Sequence, residues 1–216
     1  MAKNGFAEGR LLLAASGVAA LAYYFLRHAH LAYYIEIPLK GAGVALLALY
    51  ALRRKSRQLA LVMALGALGD MAIELNLQWG AAAFLLGHLV AIAFYLGHRR
   101  PSLSFSQRAA AIALAIVTPL IAISLSDDPA QKFGLGLYGL ALGSMAASAW
   151  TSTFPRYRVG LGAVLFLGSD LLIFARMGPM AGTMLPALLI WPLYYAGQFL
   201  ICTGVVNTLR SRLVQS

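Results

Sequence analysis

Residues 59–76 read LALVMALGALGDMAIELN. Only Asp70, Glu74 and Asn76 in this stretch are polar. As a helix rising 1.5 Å per residue, it is about 27 Å long. The hydrocarbon core of a bilayer is about 30 Å thick. A soluble amphipathic helix would carry a polar stripe along its whole length, and none is present. The stretch therefore reads as a membrane-crossing helix that carries two carboxylates into the membrane.

The same pattern recurs on both sides. Apolar runs separated by short polar breaks predict helices near Leu11–Leu26, Tyr33–Leu52, Leu59–Asn76, Trp79–Gly97, Arg108–Leu125, Phe133–Thr151, Val159–Met177 and Thr183–Val206. Helices satisfy their own backbone hydrogen bonds in lipid. The fold class is thus all-α, a polytopic bundle of about eight transmembrane helices built mostly of hairpins in chain order. The gaps are too short for a soluble domain, so residues 1–216 are read as one integral membrane domain. The first apolar run is long for a signal peptide, carries Glu8 in its flank and precedes no A-x-A site. It is read as a helix that stays.

Composition agrees. The chain of 216 residues is 61% hydrophobic and 11% charged, against about 25% charged in soluble domains. Its mean hydropathy is +0.76. The net charge of +10 does not point to nucleic acid, because the basic residues are scattered in the gaps between apolar runs. There they set topology. With the N-terminus inside, the inner segments hold Lys3, Arg10, Arg53, Arg54, Lys55, Arg57, Arg99, Arg100, Arg108, Arg156, Arg158, Arg210 and Arg212. The outer loops hold only Arg27, Lys132 and Arg176. Both termini are therefore expected in the cytoplasm, with the chain integral to a cell membrane, expected to be a bacterial inner membrane. Cys202 is the single cysteine and can form no internal disulfide.

Glycines mark expected close approaches between helices. Gly66 and Gly69 precede Asp70, Gly139 and Gly143 form a GxxxG, and Gly160, Gly162 and Gly168 lie along the seventh helix. Intramolecular packing is the preferred reading of the GxxxG. Pro119, Pro186 and Pro192 interrupt helices five and eight, where each removes a backbone donor.

The chemistry is expected at the acids. Glu8, Asp127 and Asp128 read as solvated tail or turn residues. Glu36, Asp70, Glu74 and Asp170 lie inside predicted helices. An ionisable group at mid-bilayer costs about 2.5–3.5 kcal/mol on insertion scales and usually faces the bundle interior. With the topology above, all four fall in the outer half of the membrane, which suggests one polar cavity opening away from the cytoplasm. Glu36 and Lys40 are four residues apart and can pair on one face; Asp70 and Glu74 are likewise four apart. Two carboxylates that close cannot both ionise cheaply, which would leave an acid beside a base. With Lys40, the four acids sum to −3 when ionised, so a proton, Arg176 or a cation is expected to offset them. Two plainer readings stand beside this one: Glu74 as an interfacial residue, and the Glu36–Lys40 pair as a brace at Pro38.

His88 lies in the middle of helix four, where it can be a helix-to-helix hydrogen-bonding group or a substrate contact. Interfacial placement accounts for His28, His30 and His98. No zinc-binding spacing is visible, and neither a metal nor a cofactor is called for. Tyr194, Tyr195 and Gln198 lie deep in helix eight, as Tyr138 does in helix six. They can hold a lipid headgroup, orient a carboxylate, or pack with satisfied hydroxyls.

These residues fall in motifs that resemble the YhhN family of membrane proteins, which includes the animal lysoplasmalogenases. The resemblance runs through Ile37-Pro38-Leu39-Lys40, Leu68-Gly69-Asp70 and Phe84-Leu85-Leu86-Gly87-His88-Leu89. It continues through Gly162-Ala163-Val164-Leu165-Phe166-Leu167-Gly168-Ser169-Asp170 and Tyr194-Tyr195-Ala196-Gly197-Gln198-Phe199-Leu200-Ile201. The family's usual Lys-Pro order is altered here. The resemblance implies a membrane hydrolase of the vinyl ether bond of lysoplasmalogens, releasing a fatty aldehyde and a glycerophospho-ethanolamine or -choline. It implies Asp70 and Asp170 as catalytic carboxylates, and Lys40, Glu74, His88, Tyr194, Tyr195 and Gln198 as substrate contacts. The partners implied are a lysophospholipid and membrane lipids. The alternative expectation is a proton- or cation-coupled transporter or lipid-binding protein, since buried acids and glycine-rich helices fit that as well. Gly69-Asp70 and Ser169-Asp170 hint at no more than a parallel duplication, four helices apart.

Overall fold

The computed structural model describes the backbone of residues 2–29 and 31–215 and the side chains of 7–29 and 31–212. His30 and the Lys3 side chain lie outside the described residues. Among the described residues are eight helices, each long and apolar enough to cross a membrane. They are α1 (Ala2–Leu26), α2 (Tyr33–Arg53), α3 (Arg57–Leu75), α4 (Leu77–Leu96), α5 (Phe105–Ser124), α6 (Pro129–Thr151), α7 (Leu161–Met177) and α8 (Met184–Gln215), with a π-helical turn at Arg156–Gly160 leading into α7. The chain falls into two compact units, Met1–Val90 and Ala91–Ser216.

In the first unit α1 packs on α2 and α2 on α3. Ser16 donates its hydroxyl to the Gly43 carbonyl at 2.6 Å, tying α1 to α2. A Cβ on Gly41 would stand 2.7 Å from Met71 Cγ, and one on Gly69 would stand 2.8 Å from the Phe84 ring. Glycine at these positions lets α2 approach α3, and α3 approach α4, more closely than any other residue would. The core is Val44, Leu47, Leu59 and Met63, all fully buried. The α2–α3 connection ends α2 with the paired bonds of a Schellman motif: Ser56 N–H to the Ala51 carbonyl and Lys55 N–H to that of Leu52. Lys55 takes the left-handed φ of 62° that glycine usually fills there.

In the second unit α5 packs on α6 and α7 on α8, with α6 also against α7. The GxxxG is internal: a Cβ on Gly139 would lie 2.9 Å from Pro119 Cα, and one on Gly143 would lie 2.4 Å from the Leu114 carbonyl. Gly162 and Gly197 face each other, each within 2.7 Å of the other's carbonyl oxygen when given a Cβ. Gly168, in contrast, has open space around it, so it serves no close approach. Phe94, Tyr95, His98 and Phe154 form an aromatic cluster with ring centroids 4.8–6.3 Å apart. His98 is therefore packed and part-buried.

Helix ends differ from the sequence reading for local reasons. α1 begins at Ala2 rather than Leu11, and α8 runs to Gln215 rather than Val206. Hydropathy marks only the lipid-immersed part of a helix, and both continue into polar flanks. Helix five starts at Phe105 because Ser104 and Gln107 form a reciprocal capping box. Helix six starts at Pro129, with Asp128 accepting the Ala130 N–H at 2.9 Å. Asp128 is thus a helix cap rather than a bare turn residue. Glu8 is also corrected: it lies within α1 and pairs with Arg53 of α2.

Candidate functional site

In the first unit the polar groups converge from three helices. Lys40 of α2 makes a salt bridge with Glu74 of α3, their side chains 15% and 30% exposed. The expected Lys40–Glu36 pair gives way to this one. The reason is geometric: the close α2–α3 approach at Gly41 puts a carboxylate of the next helix within reach of a lysine one residue away. The Lys40 ammonium also stands 5.7 Å above the Tyr23 ring of α1, within range of a cation–π contact. Tyr23, buried against α2, lies within electrostatic reach of Glu74, Glu36 and Asp70. The sequence reading did not single out Tyr23. A tyrosine near a helix end is ordinary in membrane proteins, so nothing local marked it.

Asp70 is 3% exposed and His88 2%. Neither is free of interactions within the protein. Asp70 follows the glycine that receives Phe84. His88 is one turn beyond Phe84 on α4 and so shares its face. Asp70 and Glu74 differ in environment despite their spacing: Glu74 turns to Lys40, while Asp70 is enclosed. Lys40 offsets Glu74, and Glu36 is partly exposed.

In the second unit Asp170 of α7 is 3% exposed and accepts the phenolic hydrogen of Tyr138 of α6 at 2.7 Å. Tyr138 is held edge-on by Phe174, one turn beyond Asp170, with centroids 5.5 Å apart. The residue before Asp170 is anchored as well: Ser169 donates to the Ile190 carbonyl of α8 at 2.9 Å. One and two turns further along α8, Tyr194 and Gln198 are buried, and the Gln198 amide donates to the Tyr194 hydroxyl at 3.5 Å. Tyr194 is fixed by Phe166 and Trp191, with centroids 5.1 and 5.6 Å away. Tyr195, on another face, packs near Phe199. The structure thus brings Tyr194 and Gln198 together as their spacing predicts and gives Tyr138 a definite role beside Asp170. Arg176 is exposed. Among the described residues, no three His, Cys, Asp or Glu side chains gather as a metal site would require.

Helices that bury carboxyls, a phenol and an amide at membrane depth define a class: an integral membrane protein with polar groups built into its spanning segments. The family model described as the YhhN family matches residues 35–205, and the chain belongs to that family. The match begins in α2 and ends in α8, so it includes Lys40, Asp70, Glu74, His88, Asp170 and the Tyr194–Gln198 segment. No curated protein and no solved structure matches the chain.

Proposed function

We propose that the protein is a membrane-embedded hydrolase of the vinyl ether bond of lysoplasmalogen-type lysophospholipids. Membership of the YhhN family supports this reading. The observation that carries it is the burial of Asp70 and Asp170, each 3% exposed, in helices long and apolar enough to span a membrane. A carboxyl kept from water can hold a proton for transfer, and this chemistry needs one.

The reaction starts with protonation of the vinyl carbon distal to the ether oxygen. That leaves an oxocarbenium ion on the carbon bonded to oxygen. A water adds there, its surplus proton passing to a carboxylate. The resulting hemiacetal collapses, the C–O bond to glycerol breaks, and a proton returns to the glycerol oxygen. A fatty aldehyde and a glycerophospho-ethanolamine or -choline leave. The proposal gives Asp70 and Asp170 the parts of proton donor and water activator, the roles carboxyls take in general acid–base catalysis. Tyr138 holds Asp170 in position. Lys40, Glu74, His88, Tyr194, Tyr195 and Gln198 are the proposed contacts to the headgroup and glycerol. The basic inner segments favour both termini in the cytoplasm and a site in the outer half of the bilayer; a bacterial inner membrane is the proposed setting.

The test is purified protein with a lysoplasmalogen, followed by fatty aldehyde release. Aldehyde release lost in Asp70→Asn and Asp170→Asn supports the assignment. Full activity in both variants overturns it. Absence of cleavage of any vinyl ether lipid, together with proton-driven uptake into liposomes, favours a transporter instead.

A further inference from the structure

At the end of the second unit where α6 stops, the backbone closes on itself. Arg100 donates to the Ser152 and Phe154 carbonyls at 2.6 and 3.0 Å, and Arg212 donates to the Thr153 hydroxyl at 2.9 Å. These two guanidiniums are structural ties. The neighbouring π-helical turn, Arg156–Gly160, behaves differently. Gly204 of α8 admits it: a Cβ there would lie 2.7 Å from Val159 Cγ2 and 3.2 Å from Arg158 Cβ. Between the turn and α8 is a cavity of about 520 Å³, lined by Pro155, Arg156, Tyr157, Arg158, Gly204, Asn207, Thr208 and Ser211.

Three features of this cavity point to an anion. First, among the described residues its lining holds two guanidiniums and an amide but no carboxylate. The acids of this unit are Asp127, Asp128 and Asp170, and none lines it. Second, Arg156 Nε is buried without a hydrogen-bond partner among the described residues. An unsatisfied buried donor is costly, and for a charged group especially so. The guanidinium stands 5.8 Å from the Trp150 ring, within range of a cation–π contact that uses none of its N–H groups. Third, the position is that of a membrane boundary. Tyr157 is 79% exposed beside the two arginines, at the start of the spanning segment Arg156–Met177. Exposed tyrosine and arginine together mark headgroup depth. π-turns also occur often at functional sites.

We propose that this cavity binds a phosphate group, through Arg156, Arg158 and the Asn207 amide. Arginine pairs with phosphate in a two-pronged fashion that lysine cannot match. The chemistry is shared by an anionic lipid headgroup and by free phosphate. The site is independent of the carboxylates assigned above, so either assignment can fail alone.

The test uses the full-length protein, delipidated in an uncharged detergent. It is titrated with phosphatidylglycerol by native mass spectrometry and with inorganic phosphate by calorimetry. Saturable binding of the lipid alone identifies a headgroup site; binding of inorganic phosphate at least as tight identifies a soluble one. In either case Arg156→Gln with Arg158→Gln weakens binding by about tenfold or more, as loss of charge-assisted bonds requires. Arg99→Gln with Arg108→Gln, outside the cavity, leaves it unchanged. If the cavity double variant does not fold, Asn207→Asp, on the exposed side of α8, serves in its place by setting a carboxylate against the ligand. The proposal is overturned if neither probe binds saturably, or if the Arg99/Arg108 variant loses as much as the cavity variant.

Discussion

The two units solve one problem in two ways. Each buries an aspartate in a spanning helix, after a small residue: Gly69-Asp70 in α3 and Ser169-Asp170 in α7. In the first unit the glycine gives its space to the Phe84 ring. The neighbouring charge is handled by an ion pair, Lys40 with Glu74, that keeps some contact with its surroundings. In the second the serine spends its hydroxyl on the Ile190 carbonyl, and the aspartate takes a neutral phenol as partner. Full burial of an ion pair costs several kcal/mol per ion before any attraction is counted. A hydrogen bond to a phenol adds no second ion to be desolvated. The enclosed Asp170 carboxylate is thus held by a neutral group, and the Lys40–Glu74 charge pair sits where it remains partly exposed. The lesson is that the same dipeptide spacing supports different chemistry according to what the next helix offers.

The largest expected effects break the comparison at its centre. Asp70→Asn and Asp170→Asn should each lower aldehyde release by about a hundredfold or more, the usual scale of general acid–base catalysis; steady-state assays in detergent would measure it. If only one variant falls, the other aspartate takes no part in the reaction. Next in size is packing. Gly162→Ala or Gly197→Ala drives a methyl into a facing carbonyl and should destabilise by about 1–3 kcal/mol, read as a lower melting temperature. Gly168→Ala, with open space around it, should change nothing measurable.

Smaller effects sharpen the contrast between the two kinds of partner. Tyr138→Phe removes the bond to Asp170 and should cost about 1 kcal/mol of stability, in the range of hydrogen bonds between membrane helices. The same variant should lower kcat if the tyrosine positions Asp170. Smallest is the ion pair. A double-mutant cycle of Lys40→Met with Glu74→Gln should give a coupling of under about 1 kcal/mol, because the pair is partly exposed. A coupling several times larger would mean that the first unit buries its charges as deeply as the second buries its carboxylate.

Much of this was legible in the chain. Runs of apolar residues long enough for a bilayer set the number and order of helices, since lipid accepts backbone only in that form. The i,i+4 spacing of Tyr194 and Gln198 foretold their contact because both residues share one helix, whose geometry is fixed. The GxxxG foretold close packing, and its partner proved to be α5. Partners on different helices were not legible. Lys40 had Glu36 four residues away, yet it chose Glu74, thirty-four residues away in the chain. Tyr23 gave no local signal at all. The ends of α1 and α8 escaped hydropathy because a helix can outlast the membrane.

The sequence by itself determined that the protein lies in a membrane, how many times its helices can cross it, and that four carboxylates lie within the spanning segments. Those properties depend on local apolarity and helical period, which each segment carries alone. Only the tertiary structure decided which group answers each buried charge. Glycine-sized gaps between helices bring together side chains from distant segments, and that choice rests on distances of a few ångströms that no single helix contains.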